Sequence, residues 1–78
     1  MLIGGSKQMY YYYFNTHIDQ YNRHEIHTNE CPYLPSQKNR VLIGLEFSYH
    51  SAAARAKKQY PLKLFCGCYW CCRSYSGQ

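Results

Sequence analysis

Large aliphatic side chains are what this chain has least of. Val, Ile, Leu and Met together number 13 of 78 residues, and three of them, Met1, Leu2 and Ile3, fall in a stretch that reads as a loose leader. The hydrophobic fraction of 46% leans instead on 10 tyrosines and 5 cysteines. A chain this short, with so few aliphatics, has no large core to build, which excludes a multidomain enzyme with a deep preformed cavity. Acidic residues are scarce as well. Asp19, Glu25, Glu30 and Glu46 are all there are, and none is spaced as a catalytic pair. No Ser-His-acid arrangement is legible, so hydrolytic chemistry has no visible machinery. Long apolar runs are missing too: nothing approaches the ~20 residues of a membrane span. The first residues lack the basic region and apolar run of a secretory leader.

What the chain does have is a concentration of metal-ligating side chains. Domains below about 70–80 residues usually need a staple beyond hydrophobic burial, and five cysteines with four histidines supply one. Secreted disulfide scaffolds usually carry an even number of cysteines. Here the number is odd, and four of the five crowd into Cys66, Cys68, Cys71 and Cys72. Adjacent Cys71 and Cys72 are poorly placed to bridge each other. A metal site in a reducing, cytoplasmic setting is the reading that fits.

Hydrophobic periodicity and turn chemistry predict an α+β fold. Residues 1–8 read as a disordered leader, with Met9 just before the first strand-like run and a natural start for the domain. Tyr10–Phe14 is dense in β-formers, Asp19–Asn22 supplies a turn, and Arg23–His27 is the return strand of a hairpin. A proline-bearing loop follows over Thr28–Asn39. Asn39–Phe47 is a third strand whose Gly44 marks a bulge or a close backbone approach. Ser48 is a good N-cap for a helix over Tyr49–Tyr60 that Pro61 ends. Tyr49, Ala53, Ala56 and Tyr60 share one arc of that helix, bordered by Ala52, and the small alanines let it lie close to a sheet. The expected architecture is a β-hairpin plus a third strand and one packed helix, closed by a zinc site. Residues 9–73 form a single domain, and 74–78 are a polar tail.

Zinc takes four ligands in a tetrahedron, supplied in pairs two to four residues apart. His27-x3-Cys31 and Cys68-x2-Cys71 are two such pairs, and they bracket the third strand and the helix. A site built from His27, Cys31, Cys68 and Cys71 clamps the early loop to the end of the domain, closing a long loop. Cys66 or Cys72 can substitute for one of the last pair, and His24 is a further alternate. In an extended strand His24 and His27 face opposite sides, which disfavours their sharing one ion. His17 and His50 read as surface residues. Three thiolates and a neutral imidazole around Zn²⁺ carry a net −1, lowering the formal +5 of the chain to +4.

The pattern His-Thr-x-x-Cys-Pro-Tyr-Leu-Pro from His27, followed by Gly-Cys-x-x-Cys-Cys from Gly67, resembles a family of small bacterial proteins that brings no activity with it. The resemblance covers Met9 to Cys72, including His24-Glu25-x-His27. More distantly, the ligand layout is similar to the zinc module of the bacterial Ada DNA-repair protein. In that module four cysteines hold the metal, and the first accepts methyl groups from DNA phosphotriesters. Here His27 stands in that first position, while Cys31, Cys68 and Cys71 match the three that only hold metal. The resemblance implies a closed zinc site without the acceptor chemistry.

Three functional readings follow. The first is a non-catalytic zinc module acting as an interaction or regulatory protein with a protein partner, monomeric or weakly dimeric. A tyrosine-rich first strand lying at a sheet edge would offer the self-association surface. The second is nucleic-acid binding through the basic C-terminal half: Lys38, Arg40, Arg55, Lys58, Lys63 and Arg73, with Tyr69 and Trp70 for base stacking. The third is thiol chemistry at Cys66 or Cys72, the cysteines left outside the ligand set.

Overall fold

The computed structural model describes residues 8–72. The leader other than Gln8, the polar tail and Arg73 therefore lie outside the described residues. Four strands and one helix follow in the order β1 (Tyr10–Ile18), β2 (Arg23–Thr28), β3 (Arg40–Glu46), α1 (Tyr49–Gln59) and β4 (Leu64–Gly67), with a short 3-10 turn at Gln37–Asn39 before β3. They form one mixed sheet in the order β3-β1-β2-β4, antiparallel except for the parallel pair β2 and β4. The protein is thus α+β, with four strands where the sequence announces three.

Alternation along β1 sets the two faces. Tyr12 and Phe14 are 4% and 2% exposed and point into the core, while Tyr11 points out. Ile26 of β2 and Ile43 of β3 join them, and α1 lays Ala52 and Ala56 on this face. Both alanines are completely buried, so at these two positions the helix presents only a methyl group to the core side chains of the sheet. Tyr49, Ala53 and Tyr60 pack around that contact, half-buried. The Ser48 hydroxyl accepts the Ser51 amide at 3.2 Å and caps the helix N-terminus. At the other end the Tyr60 amide bonds the Ala56 carbonyl at 2.8 Å just before Pro61.

Three irregularities shape the sheet. Asn22 closes the β1–β2 turn with φ 67°, a left-handed conformation Asn tolerates. Between Phe14 and Ile18 the pairing of β1 with β2 shifts register, which lets β1 run four residues beyond the tyrosine-rich stretch. On the other side, Tyr12 pairs Gly44 while Tyr13 pairs Leu42, so Ile43 is an extra residue and β3 is bulged there. Gly44 has φ 146°, and a Cβ at this position would collide with the guanidinium of Arg55. That side chain crosses the bulge to bond Glu46 at 2.9 Å.

The tyrosine-rich strand is internal to the sheet, between β3 and β2. The condition for its serving as a pairing edge is therefore not met; the outer strands are β3 and β4. Among the described residues no helix is long and apolar enough to cross a membrane.

Candidate metal centre

The parallel pairing of β4 beside β2 builds the centre. Its register runs from Arg23 opposite Leu64 to Ile26 opposite Gly67, and the Cys68 amide extends it by bonding the Ile26 carbonyl at 2.9 Å. The first residue after β4 thereby lands beside the last residues of β2. A turn past Thr28, closed by the Cys31 amide on the Thr28 carbonyl at 3.2 Å, brings Cys31 back to the same corner. A second turn, with the Cys72 amide on the Cys68 carbonyl at 2.8 Å, carries Cys71 there. One ligand atom from each of His27, Cys31, Cys68 and Cys71 lies within 4.8 Å of all the others, and the group can hold a metal ion.

Backbone amides point at the sulfurs. Tyr33 N–H donates to Cys31 Sγ at 3.4 Å, Trp70 N–H to Cys68 Sγ at 3.4 Å, and Thr28 N–H to Cys71 Sγ at 3.3 Å. In the first two the donor lies two residues after the cysteine, so each short turn orients its own thiol. Such donors stabilise thiolate over thiol. Without a cation they are outweighed. Burial pushes Cys68 up to about 12. The neighbouring Cys72 thiol, then burial, pushes Cys71 up to about 11. Burial raises Cys31 as well. Left metal-free, the corner is a set of protonated thiols aimed at one point.

His27 gives the independent observation. It is 1% exposed, and neither ring nitrogen has a hydrogen-bond partner. Nε2 lies 3.2 Å from Glu25 Oε1, within ion-pair reach but too poorly aligned to count as a hydrogen bond. Burying an unpartnered polar group costs on the order of 1–3 kcal/mol, so a fully buried imidazole with two orphaned nitrogens is a large debit for so small a domain. A metal ion beside the three sulfurs would satisfy one of the two nitrogens.

The alternates go elsewhere. His24 faces the opposite side of β2, packed edge-on between Phe14 and Phe65 with Nδ1 2.8 Å from the Asn15 carbonyl. It is a core histidine. Cys72 is 3% exposed within the hydrophobic core, its thiol 3.6 Å from the Ile26 carbonyl and 3.7 Å from Cys71 Sγ. Cys66 turns toward Asp19 Oδ2 at 3.8 Å, and burial pushes its thiol up to about 11. That makes it a poor nucleophile at neutral pH. His17 and His50 are exposed.

The described basic residues of the C-terminal half are distributed over the start of β3, the helix and the approach to β4. Arg55 is paired with Glu46. Arg40 lies over the Tyr13 ring at 4.8 Å and donates to the Pro35 carbonyl. Lys38 and Arg40 flank the start of β3, Lys63 precedes β4 on the opposite edge of the sheet, and Lys58 is on the helix. Tyr33 and Trp70 stack at 5.8 Å beside the thiol corner, and Tyr69 meets Trp70 edge-on.

Two parts of this arrangement escaped sequence reasoning. One is β4, a fourth strand where the sequence announces three. Its signal is the need of β2 for a partner on its far side. The other is Glu25 at the His27 ring, which same-face spacing i, i+2 on a strand would have raised. No family model, curated protein or solved structure matches the chain.

Proposed function

We propose that the protein is a small non-catalytic zinc-binding module in which the ion is structural and the folded domain acts by interaction. The observation that carries this reading is the convergence of three thiols on a buried imidazole whose ring nitrogens make no hydrogen bond. The Cys31 and Cys68 sulfurs are 3.7 Å apart. Tetrahedral zinc with Zn–S bonds of ~2.3 Å places two sulfurs about 3.8 Å apart, so this edge of the tetrahedron is already set. Three sulfurs and one nitrogen suit zinc better than the all-oxygen shells of Ca²⁺ or Mg²⁺.

With four protein ligands the ion has no open position for water, which distinguishes a structural from a hydrolytic centre. The layout resembles the Ada zinc module, but His27 occupies the position of the methyl-accepting cysteine and has no sulfur to alkylate. All five cysteines are free thiols, in keeping with a reducing, cytoplasmic environment. The stacked, exposed rings of Tyr33 and Trp70 beside the centre offer a partner protein apolar area whose position depends on the bound ion.

Cobalt substitution tests the reading. Co²⁺ should enter stoichiometrically, give the intense visible bands of a tetrahedral thiolate centre, and leave them unchanged on adding azide. Bands that shift with azide would indicate an open, catalytic-type position, and weak octahedral bands would refute the ligand set.

A further inference from the structure

The His27 ring has two different groups as neighbours, a carboxylate and a set of thiols. Glu25 precedes it by two residues on the same face of β2. The thiols all come after strand ends: Cys31 past the end of β2, Cys68 and Cys71 past the end of β4. The carboxylate lies two residues back along β2, whereas Cys68, one residue past the Ile26–Gly67 pair, stands level with His27 on the neighbouring strand. The contact to Glu25 Oε1, at 3.2 Å, is made by Nε2, and both ring nitrogens are otherwise unpartnered.

We propose that Glu25 is the positioning residue of the metal centre, accepting the Nε2–H of His27 so that Nδ1 is the atom presented to the metal. This rests on the metal-binding reading above. A neutral imidazole has one protonated and one lone-pair nitrogen, and the hydrogen bond made by one decides which role the other takes. Metal-ligating histidines almost always give their second nitrogen to such an acceptor, which fixes the tautomer and ring orientation and raises ligand basicity. With Nδ1 on the ion and Nε2–H on Glu25, both orphaned atoms of a 1% exposed side chain are satisfied at once. The Glu25 carboxylate is 44% exposed, so a small rotation aligns it without disturbing the core.

Two readouts test the proposal. In the zinc-loaded protein, long-range proton–nitrogen correlation spectra of the histidine rings should show His27 metallated at Nδ1 and protonated at Nε2. Zinc affinity, measured by competition with a chromophoric chelator, should fall 10- to 100-fold in Glu25→Ala. Glu25→Gln, which keeps an acceptor oxygen at the same reach, should retain most of the affinity, a rescue that loss of a merely structural side chain would not give. Metallation at Nε2, or wild-type affinity in Glu25→Ala, overturns the proposal while leaving the metal site intact. A wild-type protein that binds no zinc overturns both. The nitrogen assignment is made on the wild type and so does not depend on either variant folding.

Discussion

Replacing Gly44 by alanine probes how the helix is tied to the sheet. Two costs arise. At φ 146° a residue with a Cβ is strained by about 1–2 kcal/mol. The new methyl also collides with the Arg55 guanidinium, a flexible side chain that can swing away only by leaving Glu46. The two partners are 45% and 21% exposed, so solvent screening holds that pair to about 0.5–1 kcal/mol. The sum, roughly 1.5–3 kcal/mol, is at least about a fifth of the about 4–8 kcal/mol expected for the whole domain. Urea unfolding followed by circular dichroism at fixed free zinc gives the difference directly. The cycle with Arg55→Ala separates the terms. Arg55→Ala alone should cost no more than about 1 kcal/mol, and the double variant no more than Gly44→Ala, because the ion pair can be lost only once. Gly44→Ala within about 0.5 kcal/mol of wild type would refute the strain argument. Strict additivity would refute the collision.

Two further predictions concern the centre itself. Cys31→Ser, Cys68→Ser, Cys71→Ser and His27→Ala should each lower zinc stoichiometry, whereas Cys66→Ser and Cys72→Ser should retain one zinc per chain; native mass spectrometry reads both groups, and loss of zinc in Cys66→Ser would contradict the ligand set. Because Cys68 and Cys71 are raised to about 12 and about 11 in the folded corner, with Cys31 also raised, and an unfolded chain's cysteines sit near the ordinary ~8.5, the metal-free thiols are protonated at neutral pH in either state. Zinc must displace those protons, so affinity falls as pH falls, and calorimetry in buffers of different ionisation enthalpy should find about three protons released per ion at pH 7. Release of one proton or none would mean that the thiols do not bind the metal.

The grouping of His27, Cys31, Cys68 and Cys71 was legible because ligand spacing within a short turn is a local property. The helix was legible for the same reason, through Ser48, the alanine arc and Pro61, and the observed Tyr49–Gln59 differs from the expected end by one residue. The separation of His24 from His27 followed from strand alternation alone. β4 was not legible. Leu64–Gly67 is four residues long and joins the sheet by parallel pairing, which leaves no hairpin turn in the sequence to announce it. The extension of β1 through Asn15, Thr16 and His17 was hidden because a bulge, not a propensity, carries the strand past Phe14. The first miss is a long-range pairing; the second lies within the β1–β2 hairpin, where Ile18 stands opposite His24 beyond the register shift. Yet β4 is the element that delivers Cys68 to His27, so the four residues could be grouped without the structure that assembles them.

Of the four largest side chains that are fully buried, two are Phe14 and Ile26 and two are His27 and Cys68. The centre of the molecule is thus as much a ligand set as a hydrophobic core, and on this account the metal holds the fold together. Thermal unfolding of the purified protein, before and after chelation with metal content determined in parallel, tests this most directly. The account predicts one zinc per chain, loss of the cooperative transition on chelation, and its return when zinc is restored under reducing conditions. A metal-free chain that melts at the same temperature with or without chelator would contradict it.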